Sequence, residues 1–190
     1  MTAALSDTFP PAGEWTTEDL DAMPEDGRRR ELLDGVLIMS PSPTAAHQTI
    51  SGLLMGALNE TCPDEYDVTQ AVEIRLSPRR AFIPDVLVST ARAAKRRSHW
   101  YHPHEVLLAV EIVSPSSQAM DRVTKPTLYA QAGIPYYWRI EVDGGLTVHT
   151  HRLDPAAEIY AETGRWTETI QVGEPWPVEL PVSRITPRHL

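Results

Sequence analysis

The chain has 190 residues, 42% of them hydrophobic and 23% charged, enough for one ordinary globular domain with a real core and too few to suggest a second. With 17 Lys and Arg against 26 Asp and Glu the net charge is −9, so the chain as a whole repels a polyanion, and any nucleic-acid contact must rest on a local basic patch or on bound metal. One cysteine, Cys62, excludes an internal disulfide and a Cys-rich zinc site, which fits a reducing cytoplasm; with no basic and apolar leader pattern and no aliphatic run longer than Val106–Val110, neither export nor membrane insertion is expected.

Residues 1–14 are aperiodic and Pro- and Ala-containing, which predicts a loose tail ahead of one domain over 15–190. Thr16-Thr-Glu-Asp19 has the form of a helix-start box for a short helix ending near Met23-Pro24. In Arg28–Met39, Asp34-Gly35 separates two strand-like runs as a tight hairpin does, and Glu31 then shares a face with Leu33, at a sheet edge or at a site. From Thr44 to Glu60 the spacing of Ala46, Ile50, Leu53, Leu54, Ala57 and Leu58 predicts one face of a helix, with His47 as a core or boundary histidine beside that stripe.

Val72, Ile74 and Leu76 alternate with polar residues as a half-buried strand, and Ser77–Arg80 turns the chain into an apolar strand over Phe82–Val88. Pro84 inside it requires an edge, a bulge or a strand start, because proline cannot donate to a ladder. Residues 91–104 read as a long loop or short surface helix. Arg92, Lys95, Arg96 and Arg97 there form the best local basic patch for backbone phosphates, although a solvated loop is the commoner explanation of such a run. His99-Trp-Tyr-His-Pro-His104 has ligand-like spacing for zinc, without a cysteine to support it.

Val106–Val113 is apolar on both faces and belongs in the middle of a covered sheet. Ser114–Ser117 breaks it, and a helix follows from Met120 or Thr124 to Ala132, stopped by Gly133; Pro126 favours the later start. Ile134–Val142 and Leu146–His151 read as strands, and the segments around Tyr160, Trp166, Ile170 and Trp176 as antiparallel additions near the C-terminus. The fold class is therefore α/β, a mixed central β-sheet flanked by helices.

Two carboxylates, Asp85 and Glu111, stand inside apolar stretches, where a lone ionised acid costs several kcal/mol unless it is paired, neutralised or bound to a cation. A shared metal ion is one answer. Hard divalent cations take oxygen ligands, which Asp85, Glu111 and the Ile112 carbonyl offer, and Lys125, 14 residues after Glu111, is placed to assist an attacking water or a phosphorane. The alternatives are an Asp85 that accepts turn hydrogen bonds, a solvated Lys125, and a Glu31 paired with Arg28 or Arg29.

Pro84-Asp85, Val110-Glu-Ile-Val-Ser-Pro-Ser116, Asp121-x-x-x-Lys125, Tyr129-Ala-x-Ala-Gly133 and Tyr137-Trp138, together with Glu31-Leu-Leu-Asp-Gly35, Met39-Ser-Pro41 and His47-Gln48, resemble the Uma family of "putative restriction endonucleases" in the PD-(D/E)xK nuclease superfamily. The resemblance spans about residues 15–150. It implies a restriction-endonuclease-like core, metal ligands at Asp85 and Glu111, an acidic helper at Glu31, and a substrate-side role for His47. The superfamily's lysine two residues after the second acid is replaced here by Val113, and the family reading moves it to Lys125. The expected activity is Mg2+- or Mn2+-dependent hydrolysis of phosphodiesters, by analogy in DNA, with two chains pairing to address two strands. The rival is a catalytically silent nuclease-fold protein that binds nucleic acid or a partner, which the missing lysine and the acidic balance favour.

Overall fold

Asp34 and Gly35 both take positive φ, 51° and 81°, the backbone of a two-residue hairpin turn, and they join β1 (Arg30–Leu33) to β2 (Val36–Met39). The computed structural model describes residues 13–24 and 26–190, so the expected tail lies, up to residue 12, outside the described residues. Helix α1 (Thr17–Ala22) starts at a reciprocal box in which the Thr16 hydroxyl accepts from the Asp19 N–H and the Asp19 carboxylate accepts from the Thr16 N–H. Helix α2 (Ala45–Asn59) is capped by Thr44 and buries Ile50, Leu54, Ala57 and Leu58. Leu53, expected on the same face, is 40% exposed, because the helix buries a narrower stripe than its sequence offers.

Strands β3 (Tyr66–Gln70), β4 (Glu73–Ser77), β5 (Arg80–Phe82) and β6 (Val86–Thr90) follow, and β3 went unread because Asp67, Thr69 and Gln70 interrupt its apolar content. The single strand expected over Phe82–Val88 is two strands in two sheets. Ile83-Pro84-Asp85 carries the chain between them: the Ile83 N–H goes to Glu31, the Asp85 N–H to the Val110 carbonyl, and Pro84 stands where neither sheet needs a donor. After α3 (Ala91–Ala94) and the two-residue β7 (Trp100–Tyr101) comes β8 (Val106–Ile112).

The helix expected to start at Met120 or Thr124 opens with a π-helical turn, Met120–Thr124, and continues as α4 (Lys125–Gln131). The wide turn resolves the problem of Pro126. Along an i to i+5 ladder its missing N–H would have met the Asp121 carbonyl, and the Tyr137 hydroxyl donates to that carbonyl instead at 2.5 Å. Tyr137→Phe leaves the buried carbonyl without a donor and is expected to cost about 1–3 kcal/mol in urea denaturation; an unchanged midpoint would show that the carbonyl needs no partner. At the far end Gly133, φ 80°, lets the Ile134 N–H reach the Tyr129 carbonyl and its own N–H the Ala130 carbonyl.

Strands β9 (Tyr136–Glu141), β10 (Thr147–Asp154) and β11 (Ile159–Trp166) complete a six-stranded sheet of order β11-β10-β9-β8-β6-β3, in which only β8 and β9 run parallel. The strands β2-β1-β5-β4-β7 form a second, separately hydrogen-bonded sheet, and β12 (Thr169–Val172) with β13 (Val178–Pro181) forms a ribbon of its own. The one mixed sheet of the sequence reading is thus two. Central β8 sends Leu108, Val110 and Ile112 into a core shared with α2, and Ala109 into a second core with Phe82, Leu128, Tyr129 and Tyr137 under α4. Glu111, two residues after Ala109, shares that second side.

Candidate active site

The carboxylates meet where the two sheets face each other. Glu31, on β1, is buried at 4% exposure and accepts from the Ile83 N–H at 2.8 Å. Asp85, one residue ahead of β6, has both oxygens engaged: Arg29 Nη1 lies 3.0 Å from Oδ1, while the Ile112 N–H at 2.8 Å and His47 Nε2 at 3.1 Å reach Oδ2. Its carbonyl accepts from Ser51 Oγ at 3.0 Å, and His47 and Ser51, one turn apart on α2, thus hold Asp85 from both ends. Glu111 Oε1 accepts from the Tyr129 hydroxyl at 2.9 Å and lies 3.1 Å from Lys125 Nζ. The same ammonium lies 3.1 Å from Glu31 and 3.7 Å from Asp121.

Asp121, Lys125 and Tyr129 recur every four residues and face one way from the helical segment; the spacing is visible in the sequence, but only Lys125 was read as a site residue. A cavity of about 400 Å³ opens over the group, lined by Arg29, Glu31, His47, Asp85, Glu111 and Lys125 and walled by the Ser-Pro segments 40–43 and 114–117.

The family profile described as "Putative restriction endonuclease", Uma2, matches residues 17–183. The chain belongs to the Uma2 family. A solved structure described as a "putative nuclease belonging to DUF820", from Anabaena variabilis, aligns with this Uma2 chain at a TM-score of 0.71 and 18% identity, over 90% of this chain and 96% of that one, a likeness of fold. No curated protein is matched by sequence. The expected family and the restriction-endonuclease-like α/β fold are both correct.

The Uma2 site carries four buried carboxylates, Glu31, Asp85, Glu111 and Asp121, against two permanent cations, Arg29 and Lys125. Burial pushes the Glu111 carboxyl well above its usual range; Lys125 opposes this, and Asp121, Asp85 and Glu31 add to it. Burial likewise raises Asp121, whose Oδ1 has no hydrogen-bond partner. Lys125 is raised as well: burial disfavours its charge, but Glu111, Glu31 and Asp121 outweigh that and hold it firmly protonated. The cluster is short of positive charge and rich in hard oxygens, which fits a divalent cation. Among the described residues no three His, Cys, Asp or Glu side chains form a ready-made ion cage, because Arg29 and Lys125 stand among the acids.

Asp85 shifts in the opposite direction from Glu111 and Asp121. Burial works to raise it, but the His47 hydrogen bond, the Arg29 charge and the Ile112 N–H take it from 3.8 down to about 2. A folded value below the unfolded one stabilises the protein above pH 4, and this contribution, about 2 kcal/mol, disappears as pH falls from about 4 to about 2. Wild type is therefore expected to lose that much more stability than Asp85→Asn across this range in urea titrations; parallel losses would refute the pairing.

The expected basic patch is not brought to the cavity. Arg92, Lys95, Arg96 and Arg97 follow Thr90 at the opposite end of β6 from Asp85, about 17 Å away at strand rise, and Arg96 is paired with Glu105 at 2.6 Å. His102 and His104 stack with ring centroids 5.3 Å apart, and no ion-holding group forms there among the described residues. His47, read first as a core or boundary histidine, lines the cavity. Arg29 appeared in the sequence only as a partner for Glu31; its main contact, to Asp85, crosses between sheets and leaves no local trace.

Proposed function

We propose that this chain is a divalent-metal-dependent endonuclease that hydrolyses phosphodiester bonds in DNA. The observation that carries the reading is the convergence of Asp85, Glu111 and Glu31 on one cavity beside a buried, permanently charged lysine. Asp85 and Glu111 would hold Mg2+ or Mn2+, with the Ile112 carbonyl as a third oxygen. A strand residue's N–H and C=O point to the same side, and the Ile112 N–H points at Asp85. When bound, the ion would neutralise charge on the phosphate and lower the proton affinity of a water.

The chain's own residues supply the rest. His47, Ser51 and the Ile112 N–H fix Asp85, and Tyr129 orients Glu111. Lys125 does not act as a general base, because its amine holds its proton too firmly; it places fixed positive charge where negative charge develops. Glu31 anchors that ammonium and ties it to the Ile83-Pro84-Asp85 crossing. Two copies would address the two strands, which light scattering of the free and DNA-bound protein tests.

The deciding experiment is nicking of supercoiled plasmid. Wild type is expected to cut with Mg2+ or Mn2+ and not with EDTA, and Asp85→Ala and Glu111→Ala to be inactive. Cleavage that survives both substitutions would sink the proposal. Ion binding without cleavage would support the silent binding module instead.

A further inference from the structure

Asp85 offers no free edge, although the cavity around it is short of positive charge. Of the three partners of its carboxylate two are held by regular structure: the Ile112 N–H belongs to β8, and His47 sits in the first turn of a 15-residue helix. Arg29 is different. It stands one residue ahead of β1, its side chain is 24% exposed, and it reaches Asp85 with a single nitrogen while its buried Nε–H has no acceptor. A structural arginine commonly spends its planar fork on two parallel bonds to one carboxylate. This one gives Asp85 one nitrogen, its other terminal nitrogen lies 4.0 Å from Glu31, too far for a hydrogen bond, and the residue lines the cavity.

We infer that Arg29 is an exchangeable counterion that covers Asp85 Oδ1 in the free protein, yields that oxygen to an entering divalent cation, and turns its guanidinium to a phosphodiester oxygen in the same cavity. The inference rests on the metal-dependent reading and adds a substrate-binding residue to it. Lys125 cannot take this part, since it is buried among three carboxylates. A guanidinium released from Asp85 needs another anion, and the substrate phosphate provides one. Ion and substrate therefore favour the same position of Arg29 and strengthen each other's binding.

The test measures binding, not turnover. Mn2+ is titrated by calorimetry into the 190-residue chain, into Arg29→Met and into Arg29→Lys without nucleic acid, and a labelled 20-base-pair duplex is bound in Ca2+, which has the same preference for oxygen ligands. Arg29→Met is expected to bind Mn2+ about tenfold more tightly and the duplex about tenfold more weakly, changes of opposite sign that correspond to about 1.4 kcal/mol each. Arg29→Lys keeps the competing charge and loses the fork, so it is expected to match wild type for Mn2+ and to weaken on the duplex; it decides the matter if the methionine variant does not fold. Wild-type Mn2+ binding that Arg29→Met leaves unchanged or weaker, or an Arg29→Lys that keeps full duplex affinity, overturns the inference and leaves the metal reading standing. No Mn2+ binding by any of the three proteins overturns both.

Discussion

Lys125→Met is expected to lower the melting temperature by roughly 6–20 °C at pH 8. The ammonium lies 3.1 Å from Glu31, 3.1 Å from Glu111 and 3.7 Å from Asp121, and all four side chains are at most 5% exposed. Removing one partner of a buried ion pair costs about 3–5 kcal/mol, because the other charge stays behind. For a chain of this size each kcal/mol moves the midpoint by about 2–4 °C. Methionine has nearly the right length, so lost packing contributes little. The deficit is expected to shrink toward pH 5, because burial raises Glu111 and Asp121, so each takes up a proton more readily than an ordinary carboxylate and then needs the cation less. Lys125→Arg does not restore the site, since a flat five-donor fork does not fit where one nitrogen meets three carboxylates. Calorimetric melts at the two pH values check this, and a deficit below about 2 °C at pH 8 would mean that the acids do not depend on the lysine.

Glu111→Gln is expected to separate stability from activity. Burial raises the proton affinity of Glu111 in the folded chain above its ordinary 4.5. A group whose folded value is raised contributes its full stability below the unfolded value and loses it as pH climbs through the folded one, so ionised Glu111 weakens the fold at pH 8. Glutamine stays neutral and still offers an oxygen to the Tyr129 hydroxyl. The variant should therefore lose less stability than wild type between pH 5 and pH 8 in urea titrations, while plasmid nicking falls by about a hundredfold or more with the loss of a charged oxygen from the site. An unchanged pH slope would show that Glu111 is not strained by its burial.

The described residues contain no helix long and apolar enough to cross a membrane, in keeping with the short aliphatic runs of the sequence. Much else was readable because it is local. The capping box at Thr16, the Asp34-Gly35 hairpin and the Gly133 stop are each decided within about four residues, where backbone preference and nearest-neighbour hydrogen bonds dominate. Glu111 announced itself for the same reason, as one acid in a strand apolar on both sides.

Tertiary structure alone decided the rest. Pro84 was visible as an interruption, but whether it marked an edge or a crossing between two sheets depended on which strands lie beside β5 and β6. Arg29 meets Asp85, and Glu31 meets Lys125, across separations that no local rule encodes. The Arg92–Arg97 patch, a fair candidate by composition, is carried away from the cavity by the direction of a single strand. The sequence by itself settled most of the helices and turns and which acids cannot rest charged without a partner, because those are short-range matters of propensity and solvation. The partner each acid takes followed from the topology, because charge pairing acts through space and the chain fixes neighbours in space only once its sheets are assembled.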